Sequence, residues 1–249
     1  MTINFSEIKP SRKPLPPRIV LYGEPKIGKS TFCSQIPNAI FLDVEAGTGG
    51  LNVLRVEREM LSTWPDICAV LDGLLIQEHS LQAVVIDSAD FLEKVLETQA
   101  TLEHSTTSFA KIDYGKGYVS LANMWLTITQ KLDALRERRG MAIVIIAHEL
   151  VKKVNEPGSD SYDRFILALA EKSTKIIEAW ADAILFAKVE VYTSKKKEGF
   201  KDKVTAVEGD RVLLTRNAPH HLAGNRYNLP EVIPFTWEAF SEAFVNATK

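Results

Sequence analysis

The run Gly23-Glu24-Pro25-Lys26-Ile27-Gly28-Lys29-Ser30 fits G-x-x-x-x-G-K-[ST], a spacing whose chemistry is phosphate binding. Its glycines let the backbone curl so that successive N–H groups aim at phosphate oxygens, and the helix-like run opening on Thr31 adds its positive end. Lys29 brings a point charge to the β- and γ-phosphates, and the Ser30 hydroxyl is a ligand for Mg²⁺. The segment from Gly23 to Thr31 is therefore the candidate nucleotide-binding element, with ATP and Mg²⁺ as the cofactors it implies.

A phosphate loop of this kind needs a second carboxylate for the metal, delivered by a neighbouring strand. Ala83-Val84-Val85-Ile86-Asp87 is an apolar run ending in an acid, the form of a buried strand with a metal-directed side chain at its tip. Asp87 could instead cap the helix through Phe91, but Ser88 or Asp90 would cap it equally well. Hydrolysis also needs a group that orients or deprotonates water. In Ile40-Phe41-Leu42-Asp43-Val44-Glu45 two acids stand two positions apart, at and just past a strand tip. Glu45, next to a glycine-rich turn, is the candidate base, with Asp43 as its alternative. His148 ends another apolar run, Met141 to Ala147, where a polar side chain beside the phosphate loop can sense the γ-phosphate. Glu149 is a rival base.

The elements that must carry these residues are legible in the pattern. Apolar runs at Ile19–Tyr22, Ala39–Val44, Ala83–Asp87, Ala142–Ala147 and Ala183–Tyr192 alternate with helix-like stretches at Phe91–Thr101 and Val119–Arg139. Strands separated by helices predict a mostly parallel sheet with crossover helices. Residues 1–17 read as a Pro-rich extended lead-in, 18–190 as an α/β core, and 191–249 as a β-rich hairpin region with a final amphipathic helix over Trp237–Val245, all in one domain. The composition, 45% hydrophobic and 25% charged over 249 residues, excludes disordered and fibrous classes. Cys33 and Cys68 have neither zinc-ligand spacing nor a disulfide framework. No leader-like segment and no run of about 18 apolar residues is present, so a cytoplasmic protein without membrane contact is expected. The 30 basic and 32 acidic residues leave a net charge of −2, so any grip on nucleic acid has to be local.

Together, strand–GEPKIGKS–helix, FLDVEAG, VVIDS and IVIIAH resemble the RecA-like branch of P-loop ATPases. Closer still, DVEAGTGGL and Asp113-Tyr114-Gly115-Lys116-Gly117-Tyr118 resemble the phage-encoded, Sak-type single-strand annealing ATPases. The resemblance implies a RecA-like core, Glu45 as base, His148 as sensor, self-association into a ring or filament, and action on single-stranded DNA in a bacterial host cell. It also allows a single-strand-binding protein as partner.

Two stretches fall where such proteins contact DNA: Leu102–Tyr118, with Lys111, Tyr114 and Lys116, and Glu149–Ala168, with Lys152 and Lys153. Cations among aromatics suit phosphate contact and base stacking, although Glu156, Asp160 and Asp163 dilute the second stretch. The family's trans-acting cation is assigned to Arg226, with Arg216 as alternative; the lysines at 195–197, 201 and 203 lie in a turn. A helicase, a helicase loader, another motor on the same core, or a regulatory ATPase with a protein partner are the rival readings.

Overall fold

The computed structural model describes residues 15–155, 158, 160–198 and 201–248, with side chains over 193–206 excepted. The Pro-rich lead-in up to residue 14 and the lysines at 195–197, 201 and 203 thus lie outside the described side chains. A ten-stranded sheet organises the chain. Its parallel part is built from β1 (Arg18–Gly23), β2 (Ala39–Asp43), β3 (Leu54–Val56), β4 (Ala83–Asp87), β5 (Ala142–Val154) and β7 (Ala183–Glu198). In space these run β7-β1-β5-β4-β2-β3. One strand, β5, therefore separates the strand that leads into the phosphate loop from the strand that ends in Asp87. Antiparallel pairing then extends the sheet through β8 (Lys201–Leu214) and β10 (Val232–Pro234), while β6 (Tyr162–Leu167) pairs with β5 and β9 (Gly224–Asn225) with β7.

The central strands are continuously apolar through their buried middles, as in Ile19–Tyr22, Ala83–Ile86 and Ala142–Ala147, because both faces are covered. Val20 and Tyr22 of β1 pack into one cluster and Ile19 and Leu21 into the other, as alternation of side chains requires. The first cluster is roofed by α2 (Trp64–Ile76), α3 (Ala89–Glu103), α4 (Lys116–Arg138) and α5 (Glu171–Trp180), with Leu71, Leu92, Trp125, Ile128 and Ile177 buried. On the other face α1 (Lys29–Cys33) and α6 (Trp237–Thr248) meet through Phe32 and Phe240, whose rings lie 5.9 Å apart.

Several elements depart from the sequence reading. The stretch Glu149–Ala168 is not a loop: β5 runs on past the core and turns back through β6, with Glu149 opposite Leu167 and Val154 opposite Tyr162. Its outer half is exposed, with Leu150 and Val151 facing solvent, so it lacks the apolar run that marks the buried half. Helix α4 starts at Lys116 rather than Val119, its first turn set beneath Phe109, so that a Cβ on Gly117 would lie 2.8 Å from that ring. In the β-rich region after residue 190, the stretch Lys201–Leu214 is one long strand, β8. Among the described residues no helix is long and apolar enough to cross a membrane.

Candidate active site

The C-terminal ends of β1, β5, β4 and β2 open on one cavity of about 420 Å³, lined by Lys26, Gly28, Lys29, Ser30 and Thr31, by Glu45, Gly47, Gly50 and Leu51, and by Asp87 and His148. The strand register explains the convergence: Gly23 stands opposite His148, and Asp43 opposite Asp87. Four segments far apart in sequence thus end at one level of the sheet.

The phosphate loop is built by backbone demands that only glycine meets. A Cβ on Gly23 would sit 2.3 Å from the carbonyl oxygen of Ala187 on β7, and Gly28 turns at φ 113, in the left-handed region. From Gly28 the chain enters α1, and Lys29 folds back so that its ammonium donates to the carbonyls of Gly23 and Glu24 at 2.9 and 2.8 Å. The lysine is 5% exposed. Burial draws its pKa below the ordinary lysine range, while Asp87 and Glu45 pull the other way. An ammonium held by neutral carbonyls, with carboxylates nearby but no direct ion pair, keeps its charge available to an anion in the cavity.

Ser30 Oγ donates to Asp87 Oδ2 at 2.6 Å. Burial pushes Asp87 up to about 6, the Ser30 hydrogen bond opposing and the nearby Glu45 adding to the rise. A buried carboxylate whose charge is so poorly compensated, touching a hydroxyl oxygen, fits Mg²⁺. That ion is commonly held by one or two protein oxygens plus phosphate and water, not by a dedicated cage. No cluster of three or more His, Cys, Asp or Glu suited to a metal is found among the described residues.

The two acids, one closing β2 and one just past it, separate because the chain leaves the strand and turns there, the Ala46 N–H donating to the Asp43 carbonyl at 3.3 Å. Asp43 turns into its own loop, where its carboxylate accepts from the backbone N–H groups of Gly47 and Thr48 and from the Thr48 hydroxyl; it anchors the turn and does not line the cavity. Glu45 does line it. Its backbone N–H donates to Asp87 O at 3.0 Å, and its Oε2 accepts from Ser88 Oγ, also at 3.0 Å. His148 Nε2 stands 4.0 Å from Glu45 Oε1. Glu149 is absent from the lining, and burial raises its pKa, with Glu24 adding to the rise.

Ser88 and Asp90 escaped the sequence reading, which saw in them only helix caps. Neither side chain caps α3. Ser88 holds Glu45, and Asp90 holds His148 through the ring and the backbone N–H. The signal available was a polar pair at a strand-to-helix junction, which looks the same whether its oxygens bond their own helix or a neighbouring strand.

Arg226 is not brought to this cavity. It lies at the other end of the sheet, where its Nη1 pairs with Asp182 at 3.0 Å and its Nη2 donates to the carbonyl of Ala179. The role expected of Arg226 is toward a neighbouring subunit; within its own chain the side chain is held by Asp182, which stands just before β7 and gathers Arg18 and Arg136 as well. Arg216 is 59% exposed along its side chain and meets Glu231 at 3.7 Å.

The segment carrying Lys111, Tyr114 and Lys116 is two short 3-10 turns, Phe109–Lys111 and Asp113–Gly115, leading into α4. Tyr114 is 96% exposed and held at φ 52, a backbone region that costs a bulky residue energy. Tyr114 and Tyr118 border a groove with Glu171, Lys172 and Lys175 of α5. Lys152 reaches the same helix, 3.5 Å from Glu171, so the two stretches expected to touch DNA flank one helix. Lys153 is exposed on the hairpin.

A protein-family model described as an AAA domain matches residues 15–227. No curated protein matches the chain.

Proposed function

The chain belongs to the AAA-domain family of nucleotide-binding P-loop ATPases, and from that premise we propose that it hydrolyses ATP and acts on single-stranded DNA in phage recombination or annealing. The observation that carries the hydrolytic part is the meeting of Lys29, Ser30, Asp87, Glu45 and His148 at one cavity.

In the proposed step, water adds to the γ-phosphorus and the bond from that phosphorus to the β–γ bridging oxygen breaks. ADP leaves with the bond's electron pair, and the water's proton passes to Glu45. Mg²⁺, when bound, supplies charge stabilisation on the phosphates. Ser30 and Asp87 would hold it. Lys29 offsets charge on the transferring group from a buried position, where such a charge acts more strongly than in water. Glu45, fixed at one oxygen by Ser88, turns the other toward His148 and the cavity. His148 roots the β5–β6 hairpin, since the Ala168 N–H donates to its carbonyl. A change of contact at its ring therefore reaches the element that carries Lys152 and Lys153.

Support for the DNA part is that Tyr114 and Tyr118 border a groove with Lys172 and Lys175 of α5 and that Lys152 reaches Glu171 of the same helix, an aromatic and basic surface of the kind on which bases stack and phosphates pair. Arg216, exposed and weakly held, is the better candidate for a cation given to a neighbouring subunit. A protein-partner ATPase is the second reading. It is favoured by Glu171, which pairs with both Lys152 and Lys175 and reduces the charge that phosphates would meet. The test is the ATPase rate with and without single-stranded DNA over a salt series. Stimulation that fades as salt rises supports the DNA reading; no stimulation at low salt favours the protein partner.

A further inference from the structure

The segment from Asp87 to Asp90 serves three different groups. Asp87 meets Ser30, Ser88 meets Glu45, and Asp90 meets His148. The first two touch residues given a direct role in the proposed step; Asp90 does not line the cavity and acts behind it, where its grip on His148 is the most complete of the three. Its Oδ1 accepts from the His148 backbone N–H at 3.1 Å and its Oδ2 faces Nδ1 of the ring at 2.9 Å. The edge of Phe91 packs on the imidazole, ring centroids 6.4 Å apart, and closes another side. With backbone, Nδ1 and one flank fixed, the ring has one orientation, and its free nitrogen Nε2 points to Glu45, 4.0 Å from Oε1.

That distance is too long for a direct hydrogen bond. It is the edge of a triangle whose third corner, an oxygen at hydrogen-bond distance from both atoms, would lie against the cavity. A carboxylate on Nδ1 fixes the tautomer and favours the imidazolium, in which both ring nitrogens donate.

We infer that Asp90 is a positioning residue for hydrolysis, holding the His148 ring so that its Nε2 donates to an oxygen of the attacking water or of the γ-phosphate while Glu45 takes the water's proton. This rests on reading the cavity as an ATP-hydrolysing site. The charged groups that face His148 are Asp90 from α3, Glu45 from the turn after β2, and Lys29 from α1. The Asp90 hydrogen bond leads and raises the histidine above its ordinary value, with burial and, less strongly, Lys29 opposing. Burial works to raise Asp90, but its hydrogen bonds and charge interaction with His148 outweigh it and leave the carboxyl below its usual range. Because the histidine is raised, its imidazolium is present at low pH and is lost as pH rises through the folded value.

The experiment compares the full chain with its Asp90→Asn variant, which keeps shape and one carbonyl acceptor but loses the charge. Steady-state ATPase is followed against pH, nucleotide affinity is measured with a fluorescent ATP analogue, and the His148 ring is titrated by NMR. The expected result is a wild-type His148 midpoint above that of an ordinary histidine and a lower one in the variant. Expected too is a kcat reduced roughly 10- to 100-fold, less than the 10²–10⁴ of a direct proton-transfer group, its alkaline limb moved to lower pH, and analogue affinity changed by less than about threefold, a small step on the affinity scale. Unchanged kcat and pH profile in a folded variant would overturn the role of Asp90 while leaving the ATPase reading intact. A wild type that turns over no ATP would overturn that reading and the role with it. Should the variant fail to fold, the wild-type titration decides, and a midpoint at or below the ordinary value contradicts the proposal.

Discussion

Both ends of β1 gather buried charge, and they complete it differently. At the N-terminal end, Asp182 is 6% exposed and is surrounded by donors: Arg18 through its backbone N–H and guanidinium, Arg136 at 3.0 Å and Arg226 at 3.0 Å. Asp133 takes the remaining Arg18 contact and accepts from the Trp180 indole at 2.9 Å. At the C-terminal end, among the described residues, the Lys29 ammonium meets only carbonyls and the Asp87 carboxylate only a hydroxyl. One end is closed, with each charge answered by its opposite. The other holds a cation and a carboxylate in incomplete coordination around a cavity. Buried charge that is fully paired holds strands together; buried charge left short of partners is what a ligand completes.

The largest effect should come from the open end. Lys29→Ala and Glu45→Gln are each expected to reduce ATP turnover by roughly 10³-fold, about 4 kcal/mol of transition-state stabilisation, with little loss of fold stability. Thermal unfolding run beside the turnover assay checks this. If Lys29→Ala destabilised the protein as strongly as it slowed turnover, the distinction between the ends would fail. The closed end should show the reverse pattern. Asp182→Asn leaves clustered arginines without their counter-charge, at a cost of about 3 kcal/mol, read by chemical denaturation, with nucleotide affinity unchanged.

The pH dependence of that second effect sharpens the contrast. Burial tends to raise Asp182, but the hydrogen bonds from Arg18 and the charges of Arg18 and Arg136 leave its pKa below the ordinary carboxyl value. A depressed carboxyl stabilises the fold above its unfolded pKa, about 3.9, and loses that contribution as pH falls through its folded value. The stability gap between wild type and Asp182→Asn should therefore be full at neutral pH and close below about pH 4. A gap that stayed constant down to the acid limit would show that packing, not charge, sets it. The smallest effect is expected for Arg226→Ala. Its side chain is 55% exposed, so the pair should contribute no more than about 1 kcal/mol, with turnover unaltered. A large loss of turnover there would restore the arginine as a cation acting across subunits.

The sequence showed the open end far better than the closed one, for physical reasons. Gly23, Gly28, Lys29 and Ser30 are tied to neighbours a few residues away by a backbone path that only certain residues can follow, so their spacing carries the geometry. Asp87 is visible because a strand buried on both faces is apolar up to the acid that ends it. Asp182, Arg18, Arg136 and Arg226 meet only once the sheet has formed, and nothing in their spacing foretells it. The same holds for Asp90 and His148, 58 residues apart. The β5–β6 hairpin was missed because β5 leaves the core midway, and outside it the strand loses the continuous apolar run by which its first half was read.

The central claim is that the open end turns over ATP through Glu45. The direct measurement is Mg²⁺-dependent phosphate release by wild type and Glu45→Gln, with the affinity of each for a fluorescent ATP analogue measured on the same preparations. Expected is turnover by the wild type, its near-loss in the variant, and equal affinity. Undiminished phosphate release by Glu45→Gln, or wild-type binding without release, would contradict it.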